Sequence, residues 1–142
     1  MVIDWNSSRG ATLGVEWELQ LIDAHSRALR QDAREVLAAL PELTASSGTP
    51  KLRHELMQST IELATGICST VAEAKEDLAG TIAQLQRVTS ARDMLLTCAG
   101  THPFSDWRDA KMAPVQRYAE LVEQMQWLVR RIELFKIGRA HV

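Results

Sequence analysis

Thr12-Leu-Gly-Val-Glu-Trp-Glu-Leu-Gln-Leu-Ile22 is the stretch that decides how this chain folds. Leu13, Val15, Trp17, Leu19 and Leu21 fall on one side, and Thr12, Gly14, Glu16, Glu18 and Gln20 fall on the other. Successive side chains of a strand point to opposite faces, so the alternation predicts a half-buried β-strand over 12–22. Its apolar side is expected to pack on a core. Its polar side carries two carboxylates roughly 6–7 Å apart along the strand. Like charges that close repel, and excluding water deepens the penalty. A hard cation such as Mg²⁺, which takes oxygen ligands, would relieve it. A solvated face of an antiparallel sheet would accept the same pair. Spacing alone leaves both readings open.

The next informative stretch is Lys51-Leu-Arg-His-Glu-Leu-Met-Gln-Ser-Thr-Ile-Glu-Leu-Ala-Thr65. Ile61 and Leu63 alternate with Thr60, Glu62 and Ala64, which predicts a strand over 59–65, broken by Gly66. Glu62 therefore repeats the theme of Glu16 and Glu18. Glu55 stands seven residues before Glu62. That odd offset puts the two on opposite faces of an unbroken strand. They converge only if the chain bends, and Gln58-Ser59 is the expected place. Four carboxylates on one sheet face would repel strongly without metal; with Mg²⁺ they would form a cup for a nucleoside triphosphate.

Between and beyond these strands the chain reads as alternating elements. Asp23 to Arg27 is a turn, with a short return strand expected near 28–30 to make a hairpin. Asp32 and Glu35 suggest a capping box for a helix over 33–40, ended by Pro41. Residues 42–50 read as loop. Ser69 or Thr70 caps a long helix to about 92, with Val71, Ala74, Leu78, Ile82, Leu85 and Val88 as its apolar stripe. A buried strand follows over 94–99, then a surface loop over 105–113, a helix over 114–125 and a strand over 128–135. This order predicts an α+β domain with a largely antiparallel sheet.

Composition bounds the function classes. The 142 residues suffice for one domain with a core. Charge is nearly balanced, 16 basic against 18 acidic residues for a net −2, which leaves no electrostatic footprint for nucleic acid or an anionic membrane. No apolar run has the length of a membrane span, and the first ten residues lack a signal-peptide pattern, so a cytoplasmic protein is expected. Cys68 and Cys98 have no metal or redox spacing and read as small buried hydrophobes.

Several segments together resemble the glutamate–cysteine ligase type 2 family of carboxylate–amine ligases. They are Thr12 to Leu21, Glu55-Leu-Met-Gln-Ser-Thr-Ile-Glu62 running into Thr65-Gly-Ile-Cys68, Gly100-Thr-His-Pro-Phe104, and Arg117-Tyr118. They stand in the family's order and cover about residues 11–135. The resemblance implies a glutamine-synthetase-like fold, an antiparallel sheet with helices on one face and acids on its inner face binding Mg²⁺ and ATP. It implies ATP-dependent joining of glutamate's side-chain carboxylate to an amine such as cysteine, through an acyl phosphate. Glu16, Glu18, Glu55 and Glu62 match the family's acidic positions and are expected to be metal ligands. Gln58, Thr60, His102 and Arg117 are candidates for contacting substrate, though a lone histidine before proline such as His102 is more often structural, and Arg117 could equally be a solvated charge. The four tryptophans, Trp5, Trp17, Trp107 and Trp127, read as packing residues.

Family members are expected to run well over twice this length, so residues 1–135 read as the N-terminal part of a single ligase domain, incomplete in this chain. Lys136-Ile-Gly-Arg-Ala-His-Val142 departs from the family pattern and resembles an in-frame translation of a sequencing-library adaptor, a non-native tail. Such a fragment would expose a sheet edge and apolar surface and be inactive or nearly so alone. The competing expectation is a non-catalytic interaction module of helices and sheet with solvated acids and no nucleotide binding. Association into a homo-oligomer and the identity of the amine are left open.

Overall fold

The computed structural model describes residues 10–44 and 50–125. Four strands, β1 (Glu16–Asp23), β2 (Leu52–His54), β3 (Thr60–Ala64) and β4 (Met94–Thr97), make an antiparallel sheet in the order β2-β3-β1-β4. The helices are α1 (Ala33–Ala38), α2 (Pro41–Thr44), α3 (Val71–Ser90) and α4 (Gln116–Met125). The class is α+β, as the element order predicts.

The period-two pattern of 12–22 sorts the layers. Leu19 and Leu21 are buried, and with Ile61, the register partner of Leu19, and Leu63 they form the floor of the core. Val36 and Leu37 of α1, Leu43 of α2 and Leu85 of α3 cover that floor, with Leu78, Ile82 and Val88 packed around it. Each fully buried Leu or Ile contributes about 1.5–3 kcal/mol against its exposed state. The fourth helix does not join this core. Tyr118 packs instead with Leu56, Met57 and Ala113, against the β2–β3 turn.

α3 owes its start to Thr70, whose Oγ1 accepts the Glu73 N–H at 3.2 Å, while Glu73 Oε2 accepts the Ser69 N–H at 2.7 Å. This reciprocal pairing satisfies two donors that a helix start would otherwise leave bare. Its last turn leads into Asp93, at φ 54°, which reverses the chain into β4.

Several expectations need correction. The pairing of β1 ends in an Asx turn, the Asp23 carboxylate accepting the N–H groups of His25 (3.0 Å) and Ser26 (2.8 Å). The return segment makes only a bridge, Ile22 to Leu29, and no strand. β3 already occupies that flank of β1 up to Gln20, so the segment can pair only with the last residues of β1. Asp32 makes no side-chain cap; Arg30 Nε holds its carboxylate at 2.9 Å. Pro41 does not simply stop a helix but opens α2, where a missing N–H is harmless. The expected loop over 105–113 contains a 3₁₀ turn, Trp107–Asp109, and a bridge from Met112 to Met57. The strand β2 was not expected at all; three residues are too few to show a period. Leu95 in β4 is 39% exposed, so that strand is only partly buried. Trp17 lies on the core side by register but is 36% exposed, its Nε1 donating to Cys98 Sγ at 3.0 Å. Cys68 is buried, Cys98 is exposed and neither is in a disulfide. The expected strand over 128–135, Trp5, Trp127 and the tail over 136–142 lie outside the described residues. No helix among the described residues is long and apolar enough to cross a membrane.

Candidate functional site

The opposite face of the sheet carries the acids. Antiparallel register sets Glu18 directly across from Glu62, and Glu62 across from Arg53 on β2. Directly opposed residues share a face, so Arg53, Glu62 and Glu18 form one row across three strands. Glu16 lies two residues along β1 on the same face, opposite Ala64. Gln20 and Thr60 pair on the next row.

Glu55 reaches the same neighbourhood by the bend that its odd spacing requires. β2 ends at His54, the chain turns through 55–59, and β3 returns at Thr60. Backbone bonds pin the turn: the Gln58 N–H donates to the Lys111 carbonyl (2.7 Å), and the Ser59 carbonyl accepts the Leu21 N–H (2.8 Å). The Tyr118 hydroxyl donates to the His54 carbonyl at 3.1 Å, tying α4 to the end of β2.

Electrostatics identify Glu62 as the centre. Burial, then the charges of Glu16 and Glu55, and less strongly that of Glu18, push its carboxyl above the ordinary carboxylate range; Arg53 opposes them. Arg53 Nη1 lies 3.1 Å from Glu62 Oε1 and 3.8 Å from Glu16 Oε1. The Glu62 side chain retains 18% exposure, against 51% for Glu16. The polar face is thus wet at Glu16 and closed at Gln20 and Thr60, which are 4% and 1% exposed. A simple solvated face would not close in this way. Gln20 Oε1 is buried there with no hydrogen-bond partner among the described residues.

A cleft of about 820 Å³ opens beside this row along the β2 edge. Glu16, Glu62 and Arg53 line it with Arg34, His54 and Tyr118. Burial and the Arg34 charge push His54 below the usual histidine range.

The donor set fits a hard divalent cation in kind: carboxylate oxygens, and an orphaned amide oxygen next to them. As placed, no three His, Cys, Asp or Glu among the described residues form a group that could hold an ion. The structure therefore gathers the four predicted acids into one electrostatic neighbourhood without closing them into a coordination shell.

The other predicted site residues are spread more widely. Thr60 lies on the acidic face. Gln58 Nε2 donates to the Met112 carbonyl at 2.9 Å, so its amide serves the turn. His102 is buried against the turn after β1, its Nε2 3.0 Å from the Arg27 carbonyl and its ring edge-on to Phe104 at 4.7 Å. Arg117 falls on α4, and its side-chain placement lies outside the described residues. Sequence reasoning missed Arg53, which meets two of the acids. A basic residue two positions before Glu55 was the only available sign, and without β2 it had no partner.

Comparison with known proteins agrees with the motifs. The model of glutamate–cysteine ligase family 2 matches residues 12–135. A Thermobifida fusca protein named "Putative glutamate--cysteine ligase 2" is 60% identical over 137 residues, 96% of this chain and 34% of its own length. A Frankia alni protein named "Putative glutamate--cysteine ligase 2-1" is 44% identical over 137 residues, 96% of this chain and 36% of its own. A Mycolicibacterium vanbaalenii protein with the same name is 42% identical over 135 residues, 95% of this chain and 34% of its own. The chain spans about a third of the length of these relatives. With the family model matching most of its residues, this chain belongs to glutamate–cysteine ligase family 2.

Proposed function

We propose that this chain carries one wall of the catalytic face of an ATP-dependent carboxylate–amine ligase, joining the side-chain carboxylate of glutamate to an amine such as cysteine. The observation that supports it is the convergence of Glu16, Glu18 and Glu55 on the half-buried Glu62 beside an open cleft. A carboxylate is a poor electrophile. Transfer of the γ-phosphoryl group of ATP to it gives an acyl phosphate, and attack by the amine then expels phosphate as the amide forms.

In this reading Glu16, Glu18, Glu55 and Glu62 would hold Mg²⁺. Bound there, the ion would neutralise phosphate charge and help align the transferred group. The chain's own part is positional. The three-strand row fixes Glu18 and Glu62 on a rigid sheet, and the Gln58–Met112 and Tyr118–His54 bonds hold the turn that presents Glu55. Thr60 stands on the face for a substrate contact, while His102 and Arg117 remain outer candidates. A glutamine-synthetase-like sheet would need further strands from the remainder of a longer chain, so the 142 residues alone should turn over little or no ATP. The setting is cytoplasmic.

Calorimetry tests the reading. A full-length version should bind ATP in a Mg²⁺-dependent manner and lose that binding on Glu62→Ala. Absence of Mg²⁺-dependent ATP binding by a folded full-length protein would favour an interaction module instead. Glutamate-dependent ATP turnover by the 142-residue chain, abolished by Glu16→Gln, would overturn the one-wall proposal.

A further inference from the structure

Resting on the ligase reading above, we propose that Arg53 is a built-in counter-cation of the acidic face. It bridges Glu62 and Glu16 where a divalent ion would otherwise be drawn, and it gives way when that ion binds. The row Arg53–Glu62–Glu18 carries this idea, together with the 3.1 Å and 3.8 Å approaches of Arg53 Nη1 to Glu62 and Glu16.

Glu62 sits among three other carboxylates and is largely removed from water. Such a group persists in a folded chain only with a positive partner nearby. Arg53 is the side chain seen to bond it. A guanidinium is a single delocalised charge. It can balance about one carboxylate, which leaves the remaining repulsion in place. A divalent ion brings twice the charge in a smaller radius and accepts more oxygens, so the same acids gain more from it.

The position of Arg53 suits an exchangeable partner. Among the described residues β2 is a three-residue strand at the sheet edge, paired with β3. The Arg53 side chain is 35% exposed and lines the cleft beside the row. Its guanidinium can therefore leave Glu62 by rotating along its own stem, without moving backbone. Once displaced it stands at the rim of the cleft with its fork of donors free. That geometry suits an anionic group such as phosphate or carboxylate.

A plain structural salt bridge makes the opposite prediction about metal. Magnesium chloride alone is titrated by calorimetry into a full-length version of the protein and into its Arg53→Met, Arg53→Gln and Arg53→Lys variants. Circular dichroism verifies the fold, and thermal melts are run with and without the salt. Either neutral variant should bind Mg²⁺ about tenfold more tightly than the parent, since a competing charge has gone. Its melting temperature should also rise more on adding Mg²⁺. Arg53→Lys, which keeps the charge, should bind like the parent. Adding Glu62→Gln to Arg53→Met should erase the gain. Mg²⁺ affinity equal to or weaker than the parent's in the folded neutral variants would overturn the counter-cation role and leave the metal site standing. No Mg²⁺ binding by the parent or any variant would overturn both.

Discussion

Neutralising Glu62 should make this chain more stable even as it removes the centre of its candidate site. The perturbation is Glu62→Gln, which keeps shape and removes charge. Glu18 stands directly across the sheet from Glu62, and a like-charged pair in that position is unfavourable by roughly 0.2–1 kcal/mol. Burial of Glu62 and the nearby charges of Glu16 and Glu55 add to that. Against it stands the bond to Arg53, partly exposed, whose loss costs about 1 kcal/mol at most. The carboxyl lies above its ordinary range, so the unfavourable contributions win and the charged form is the one the fold resists. We expect a net gain of about 0.5–1 kcal/mol at pH 7 for the variant, a rise of roughly 2–4 °C in melting temperature for a chain of this size.

The pH dependence makes the reasoning specific. A carboxyl with a raised folded pKa binds its proton more tightly in the native state than in the unfolded one. The parent chain therefore loses stability as pH rises from the unfolded value through the folded one, and stays lower above it. The advantage of Glu62→Gln should be nearly absent at pH 3.5, grow as pH climbs through and above the usual carboxylate range, and persist at pH 7. Urea denaturation followed by circular dichroism at pH 3.5, 5 and 7 reads this directly. A variant less stable than the parent at pH 7, or one with the same advantage at pH 3.5, would refute it.

Two further changes probe the scaffold. Leu21, fully buried between β3 and the helices, should cost about 2–5 kcal/mol as Leu21→Ala, seen as a lower urea midpoint with unchanged slope. Gly80 lies inside α3, and a Cβ there would meet nothing within 4 Å, so Gly80→Ala should raise stability by roughly 0.5–1 kcal/mol in the same assay; a loss would mean that α3 packs more tightly at this position than the structure shows.

Much of the layer structure was legible because it follows from periodicity. Leu19, Leu21, Ile61 and Leu63 alternate with polar residues, and the structure puts all four in the core. Most of the α3 stripe and its Thr70 cap were equally readable, since both are local, but Val71 in the first turn is 76% exposed because no element packs over that end of the stripe among the described residues. The odd offset made a bend the condition for Glu55 and Glu62 to converge, and β2, the turn and β3 supply it. Trp17 departed from its pattern because alternation reports which face a residue points to, not whether that face is covered at its position. Gln20 departed the other way: its polar face is closed, and no pattern of single residues announces that.

Residue order alone settled that two strands would each carry carboxylates on one face, and it settled the family, because the motifs are short, contiguous and ordered. Both properties are local along the chain. Which carboxylates meet was decided only by the tertiary structure, since it depends on register between strands far apart in sequence. The antiparallel pairing of β1 with β3 set Glu18 against Glu62, and the edge strand β2 brought in Arg53. The pair at Glu16 and Glu18, ambiguous by spacing, became part of a charged row because a strand some forty residues later folded alongside it.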